Sequence, residues 1–173
     1  MNFASLSLSL GLALAASLTT PAHAASPASS PAFRGTVVQV TDGDSVKVRP
    51  LDGGSLVTVR IVGIDAPEIC QAGGPQAREA LRERIGQQVV TVSEGRPDAY
   101  RRRLARVGTD EEPDLGRWLV SQGHAWSWEP RRGGGPYGPQ ELLARLQGRG
   151  LWAEGSAMEP RAFRRSHGPC HRR

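Results

Sequence analysis

The chain has 173 residues, of which 38% are hydrophobic and 23% charged, and a formal net charge of +5 at pH 7. This length fits one domain of ordinary size, and the apolar stretch at residues 6–18 is too short to span a bilayer. We therefore expect one basic, soluble domain with no stable membrane association.

The first 24 residues have the pattern of an export signal. The apolar stretch is followed by Ala22-His23-Ala24, a small-x-small cleavage pattern. The first residues contain no Lys or Arg, so an amphipathic or buried N-terminal helix is the alternative. We expect cleavage after Ala24 and a protein that is either periplasmic or secreted.

The basic residues are almost all arginines, since Lys47 is the only lysine. A basic surface favours polyanions such as nucleic acids, because binding releases counterions. An arginine bias can equally reflect a GC-rich genome. Charge alone therefore leaves nucleic-acid binding open.

Residues 25–32 are rich in Ser, Ala and Pro and predict a disordered lead-in. Runs of β-branched residues then predict strands, with Gly, Asp and Pro at their ends. The predicted strands are residues 36–40, 46–48, 56–62, 88–92 and 104–107.

Three helices are predicted between and after these strands. The first opens at Pro75, carries Ala77, Leu81 and Ile85 on one face, and ends at Gly86. The second contains Leu115, Trp118 and Leu119 and stops at Gly123, and the third starts at Pro139 with Leu142, Leu143 and Leu146 facing inward.

The order of elements predicts an α+β fold over residues 33–155, a five-stranded β-barrel of the oligonucleotide-binding type with about three helices.

The remaining residues, 156–173, are polar, and we expect an irregular tail. The two cysteines, Cys70 and Cys170, suggest one disulfide in an oxidising compartment, with two free thiols as the alternative. His167 and His171 lie beside Cys170, so a zinc site in the tail is a further alternative.

Two short stretches carry the chemistry: Asp42-Gly43-Asp44-Ser45-Val46, and Arg60 to Glu68 with Asp65, Ala66 and Pro67 between. Each alone reads as an ordinary turn between strands. Together they place carboxylates and an arginine at the ends of two neighbouring strands. That combination can hold a hard cation, orient a water and bind a phosphate.

The residue types suggest a role for each side chain. Asp44 and Asp65 offer oxygen ligands, which favour Ca²⁺ over zinc, and Ala66 can add only its carbonyl. Glu68 follows a proline that stiffens the turn, which leaves its carboxylate free to orient a water. We expect Asp42 to support these ligands rather than to bind the metal.

Phosphodiester hydrolysis builds negative charge on phosphoryl oxygens, and arginines stabilise it because their planar fork matches two oxygens. Arg60 is the first candidate. The second should come from the segment at residues 98–105, which contains Arg101, Arg102 and Arg103. A solvated basic loop is the alternative for that segment.

With these residues in place, the chain resembles the thermonuclease family, whose founding member is the staphylococcal nuclease, over about residues 36–152. The family pattern is a DGDT-like turn, then R-x4-D-x-P-E, then D-x-Y-G-R. Here it reads Asp42-Gly43-Asp44-Ser45, then Arg60, Asp65, Pro67 and Glu68, then Asp98, Tyr100 and Arg102. Smaller matches are Gly74-Pro75-Gln76-Ala77, Gly123-His124-Ala125-Trp126 and Gly150-Leu151-Trp152.

The resemblance implies a calcium-dependent endonuclease that cuts DNA and RNA and leaves 3′-phosphate ends. It implies metal binding by Asp44, Asp65 and the carbonyl of Ala66. Arg60 and Arg102 would bind the phosphate, Glu68 would be the base or position the water, and Tyr100 would contact the substrate.

The chain departs from the family pattern at several positions. Ala66 replaces the usual threonine, and Arg101 stands where glycine is normal, which would cost conformational energy if that position has a positive φ. Trp126 and Trp128 stand about where the family has two tyrosines that line the nucleotide pocket. They could stack on a base or belong to the core.

Three functions are compatible with these observations. The first is the exported nuclease, with DNA or RNA as substrate and a monomeric state. The second is a barrel that binds single-stranded nucleic acid without cutting it, and the third is an envelope protein with a structural calcium site. The complete set of Asp44, Arg60, Asp65, Glu68 and Arg102 favours the nuclease.

Overall fold

A computed structural model describes residues 30–129, 134–155, 157–168 and 170. The predicted signal segment and residues 25–29 of the lead-in lie outside these ranges. At the end of the lead-in, Ser30 pairs with Gly95 through two backbone hydrogen bonds of 2.7 and 3.1 Å. Among the described residues, no helix has the length and apolar character needed to cross a membrane.

The described residues include nine strands. They are β1 Phe33–Asp42, β2 Ser45–Pro50, β3 Val57–Ile61, β4 Ile64–Asp65, β5 Val89–Val92, β6 Arg96–Pro97, β7 Arg103–Ala105, β8 Val107–Gly108 and β9 Trp126–Ser127. Seven of them form one sheet in the order β6-β7-β3-β2-β1-β5-β8, and β4 pairs with β9.

The large sheet curls on itself. β7 pairs with β3 near one end of the strand order, while β8 pairs with β5 at the opposite end. Only Arg106 separates β7 from β8 in the chain, so one extended segment meets both sides. β1, β2, β3, β5 and this segment correspond to the five predicted strands, and the α+β barrel of the oligonucleotide-binding type is confirmed.

The core lies inside the curled sheet, where β-branched side chains alternate inward. Val37, Val46, Val59 and Ile61 are fully buried there. The helix α1, Gly74–Ile85, covers this core with Ala77, Leu81 and Ile85, which are the residues that the spacing predicted.

The other helices are α2 Leu115–Ser121, α3 Gly138–Leu146 and α4 Pro160–His167, with a 3-10 turn at Gly150–Trp152. Asp114 caps α2 by accepting a hydrogen bond from the Arg117 backbone N–H at 3.1 Å. The hydroxyl of Tyr137 also donates to Asp114, at 3.0 Å.

The prediction that Leu142, Leu143 and Leu146 face inward is wrong. These leucines are 58%, 56% and 75% exposed, and Ala144 is the buried residue of α3. Their spacing shows that they share a side of the helix, but it does not show that another element covers that side.

The prediction of an irregular tail is also wrong, because α4 occupies part of it. Pro160 provides the fixed φ that suits a first helical turn, and Gly168 follows the helix with φ 73°. Cys70 and Cys170 form a disulfide, as predicted, so Cys170 is not a zinc ligand. His171 lies outside the described residues.

Candidate active site

The pairing of β2 with β3 brings the two predicted motifs together. Ser45 stands opposite Arg60 in the register, and the Ile61 backbone N–H donates to the Asp44 carbonyl at 2.8 Å. Gly43 fits beneath α1 because it lacks a side chain: a Cβ there would lie 2.7 Å from Ala77 Cβ. The turn therefore lies against the helix, and Asp44 is buried.

Arg60 joins the two buried aspartates. Its Nη1 donates to Asp44 Oδ2, and its Nη2 donates to Asp65 Oδ1 at 2.9 Å. Burial alone would lower the pKa of the Arg60 guanidinium, but the carboxylates of Asp44 and Asp65 raise it above its ordinary value. Arg60 therefore stays charged. Its single guanidinium bridges the carboxylates of Asp44 and Asp65 and keeps them close together.

Backbone and hydroxyl donors complete the surroundings of Asp44. Its Oδ1 accepts from Ser45 Oγ at 2.8 Å, and its Oδ2 accepts from the Ala66 backbone N–H at 3.3 Å. Asp65 belongs to β4, where it pairs with Trp126 of β9. This strand pair fixes the backbone that carries Asp65 and Ala66.

Glu68 lies at the edge of the same cluster. Its side chain is 25% exposed, so water can reach the carboxylate. Its backbone N–H donates to Gln71 Oε1 at 3.2 Å, which holds the turn after Pro67. The structure thus brings Asp44, Arg60, Asp65 and Glu68 into one site.

Arg164 is a site residue that the sequence reasoning missed. It extends from α4 and donates through Nη2 to Asp65 Oδ2 at 2.8 Å and through Nη1 to Glu68 Oε1, also at 2.8 Å. Burial opposes its charge, but hydrogen bonds to Asp65 and Glu68 raise the pKa of Arg164. The helical signal of α4, a proline followed by Phe163 and His167 at i and i+4, could have located the element but not this contact.

The donor set suits a hard cation. Asp44, Asp65 and the carbonyl of Ala66 offer oxygen only, which is the chemistry that Ca²⁺ prefers. No three His, Cys, Asp or Glu side chains are grouped for metal binding in the described part of the chain. A cation here would therefore need the carbonyl, or water, in addition to the two aspartates.

Arg102, the second predicted phosphate-binding arginine, lies just before β7 and contacts residues of its own loop. Its Nε donates to Asp98 Oδ2 at 2.8 Å, and its guanidinium lies 5.4 Å from the centroid of the Tyr100 ring. Arg60 pairs with Leu104 in the parallel β3–β7 register, and Arg102 stands two positions before Leu104. Arg102 itself precedes β7, and its side-chain contacts are with Asp98 and Tyr100 rather than with the carboxylate cluster.

The neighbouring arginines differ from Arg102. Arg101 has φ 62°, so the position where glycine is usual does require the left-handed region. Arg103 donates to the Ser30 carbonyl at 2.5 Å, and its guanidinium lies 5.1 Å from the Phe33 ring centroid. Tyr100 is 81% exposed, as a residue that contacts substrate would be.

The expectation that Trp126 lines the substrate pocket is not supported by its surroundings. Its ring is buried and packs edge to face on Trp152, with centroids 4.9 Å apart. It belongs to a second core cluster with Ala144. Trp128 is half-buried and stays a candidate for base stacking.

Comparison with known proteins gives a match to one family model and to individual relatives. Residues 58–154 match the family model of the staphylococcal nuclease homologues. This range contains Arg60, Asp65, Glu68 and Arg102, whereas Asp44 precedes it.

Individual relatives match over most of their length. The micrococcal nuclease of Shigella flexneri is 36% identical over 146 residues, which covers 78% of this chain and 82% of that protein. An uncharacterized endonuclease of Escherichia coli O157:H7 is 31% identical over 132 residues, covering 76% and 85%. The protein ParB of Escherichia coli is 36% identical over 151 residues, covering 79% and 83%. The chain therefore belongs to the staphylococcal nuclease family.

Proposed function

We propose that this protein is a calcium-dependent endonuclease that hydrolyses phosphodiester bonds of DNA, RNA or both. One observation carries the proposal: Asp44, Arg60 and Asp65 come from separate turns and strands, yet direct hydrogen bonds join them. Glu68 is linked to Asp65 through Arg164, which donates to both carboxylates. Family membership and the names of the relatives support the same reaction.

Two guanidiniums would bind the scissile phosphate. Asp44 and Asp65 accept hydrogen bonds from Nη1 and Nη2 of Arg60, so the orientation of this guanidinium is set before the substrate arrives. Arg102 would be the second, and its guanidinium is oriented by the ion pair with Asp98. Each fork can donate two parallel hydrogen bonds to phosphoryl oxygens, whose negative charge grows as water attacks.

Glu68 would accept a proton from the attacking water. It is the more exposed carboxylate of the cluster, and the proline-containing turn fixes its backbone. Its Oε1 accepts a hydrogen bond from Arg164, so this oxygen can accept a proton from water only when that bond opens.

Asp44, Asp65 and the Ala66 carbonyl would hold the calcium ion. When bound, the ion supplies positive charge that offsets the charge developing on the phosphoryl oxygens. The aspartates are already close together in this structure because both accept hydrogen bonds from Arg60.

We also propose export, based on the signal pattern at residues 1–24, which lies outside the described residues. The basic composition would then favour polyanionic substrates in the periplasm or the medium.

Cleavage of end-labelled single-stranded DNA, first with millimolar calcium and then with excess chelator, tests the proposal. We expect cleavage with calcium and none with chelator. Binding in both conditions without cleavage would instead favour the non-catalytic barrel. A lower melting temperature on chelation with no cleavage in any condition would favour a structural calcium site.

A further inference from the structure

Arg164 occupies both of the carboxylates that the proposed reaction needs. Asp65 would bind the cation and Glu68 would accept a proton, yet Arg164 donates hydrogen bonds to both side chains. Asp65 Oδ1 accepts from Arg60 at 2.9 Å and from Arg164 at 3.2 Å, and Asp65 Oδ2 accepts from Arg164 at 2.8 Å. Both oxygens of the candidate ligand therefore already have a cationic partner.

The net charge of the cluster shows that a divalent cation would have to replace Arg164. Three carboxylates, Asp44, Asp65 and Glu68, meet the two guanidiniums of Arg60 and Arg164, which leaves one negative charge. Without Arg164 the same group carries two negative charges, which one divalent cation balances. Arg164 and a divalent cation would also repel each other if both bound Asp65.

Few buried side chains attach the helix that carries Arg164 to the rest of the domain. Pro160 is the buried residue of α4, so little apolar surface holds the helix. The Arg164 side chain is 34% exposed, and it can leave the carboxylates without opening the core. Gly168, with φ 73°, separates α4 from the disulfide.

Two links keep Arg164 close to the site. The disulfide joins Cys70, two residues after Glu68, to Cys170, six residues after Arg164. Gln71 Nε2 donates to the Met158 carbonyl just before α4, at 2.6 Å. A short tether of this kind gives the arginine a high effective concentration at the carboxylates.

We propose that Arg164 is an intramolecular competitor of the divalent cation, and that the Cys70–Cys170 disulfide sets how strongly it competes. The cation binds Asp65 only as Arg164 withdraws, and the same movement frees Glu68. This inference rests on the proposed function, because it assumes that Asp65 is a metal ligand.

Calorimetric titration of the metal-loading step tests the inference directly. Calcium is titrated into the wild type, Arg164→Gln and the matched control Arg165→Gln, whose arginine is the exposed neighbour on the same helix. We expect Arg164→Gln to bind calcium at least about tenfold more tightly, since one competing charge is lost. The control should stay close to wild type. Equal or weaker binding by Arg164→Gln, or the same gain in both variants, would overturn the inference.

Reduction of the wild type provides a second measurement that needs no substitution in the site. A dithiol gives two electrons and two protons to the Cys70–Cys170 bond, which becomes two thiols while the dithiol becomes a disulfide. We expect calcium to bind the reduced wild type severalfold more tightly and Arg164→Gln to be unaffected by reduction. An equal effect of reduction on both proteins would overturn the role of the disulfide.

The same titrations separate this inference from the proposed function. If the wild type binds calcium and cleaves DNA, but Arg164→Gln binds calcium no better, the inference alone fails. If no protein in the series binds calcium or cleaves, the proposed function fails and the inference falls with it.

Discussion

Three consecutive arginines, Arg101, Arg102 and Arg103, differ in their hydrogen-bond partners and therefore in the roles that we expect for them. Arg102 is oriented by Asp98, whereas Arg103 donates to the carbonyls of Ser30 and Pro31. Arg101 has the strained backbone of the loop. Spacing from Asp98 and Tyr100 indicates Arg102 as the second phosphate-binding residue, and this choice stays a prediction.

Replacing each arginine by alanine should therefore give unequal effects. We expect Arg102→Ala to lower kcat/KM by about two to three orders of magnitude, as for the loss of a donor to a developing charge. Arg101→Ala and Arg103→Ala should cost far less. Steady-state cleavage of labelled DNA measures all three, and equal losses would show that Arg102 is not the second phosphate-binding residue.

The positive φ of Arg101 leads to a stability prediction. Arg101→Gly should raise the free energy of unfolding by about 0.5 to 1 kcal/mol, because glycine removes the steric cost of the left-handed region but loses more chain entropy. Arg103→Gly, in a strand, serves as the control and should lower it. Urea denaturation measures both, and a loss of stability in Arg101→Gly would contradict this account.

At the level of elements, apolar periodicity predicted most of the fold. Ala77, Leu81 and Ile85 point into the core because their spacing matches one side of a helix. Leu142 and Leu146 have similar spacing, yet they are exposed, since periodicity does not specify what packs on a surface. The helix α4 was missed because its sequence is polar and only its capping residues signal it.

The strand β9 leads to a prediction about the two tryptophans. Trp126 packs on Trp152 and pairs with Asp65, whereas Trp128 is less buried. Trp126→Ala should lower the free energy of unfolding by about 3 to 5 kcal/mol. Trp128→Ala should cost little stability and raise KM if its ring stacks on a base. Denaturation and steady-state kinetics check the pair, and similar stability losses would place both rings in the core.

At the level of the whole molecule, the site depends on contacts between distant parts of the chain. The turn signals at Asp44 and Asp65 are local, so the sequence could indicate them. Arg164 reaches Asp65 only because α4 folds back under the Cys70–Cys170 disulfide. No local pattern encodes that contact, which is why the sequence could not predict it.

Global stability should also depend on pH through His124. Burial lowers the pKa of its imidazole, so below a pH of about 6.5 the unfolded chain takes up a proton that the folded chain resists. The free energy of unfolding should therefore fall between pH 7 and pH 5, and fall less in His124→Gln. Urea denaturation at both pH values measures this, and identical pH dependence in the two proteins would contradict it.

The central claim is that the cluster of Asp44, Arg60, Asp65 and Glu68 is a hydrolytic site. Single-turnover cleavage of labelled single-stranded DNA in saturating calcium tests it most directly, with Glu68→Gln compared to wild type. Glu79→Gln is the control, since Glu79 is an exposed carboxylate on α1 that pairs with Arg82. We predict that Glu68→Gln lowers the rate by about two to four orders of magnitude, as for a lost general base, with the melting temperature unchanged and the control fully active. A Glu68→Gln protein that cleaves at the wild-type rate would contradict the account.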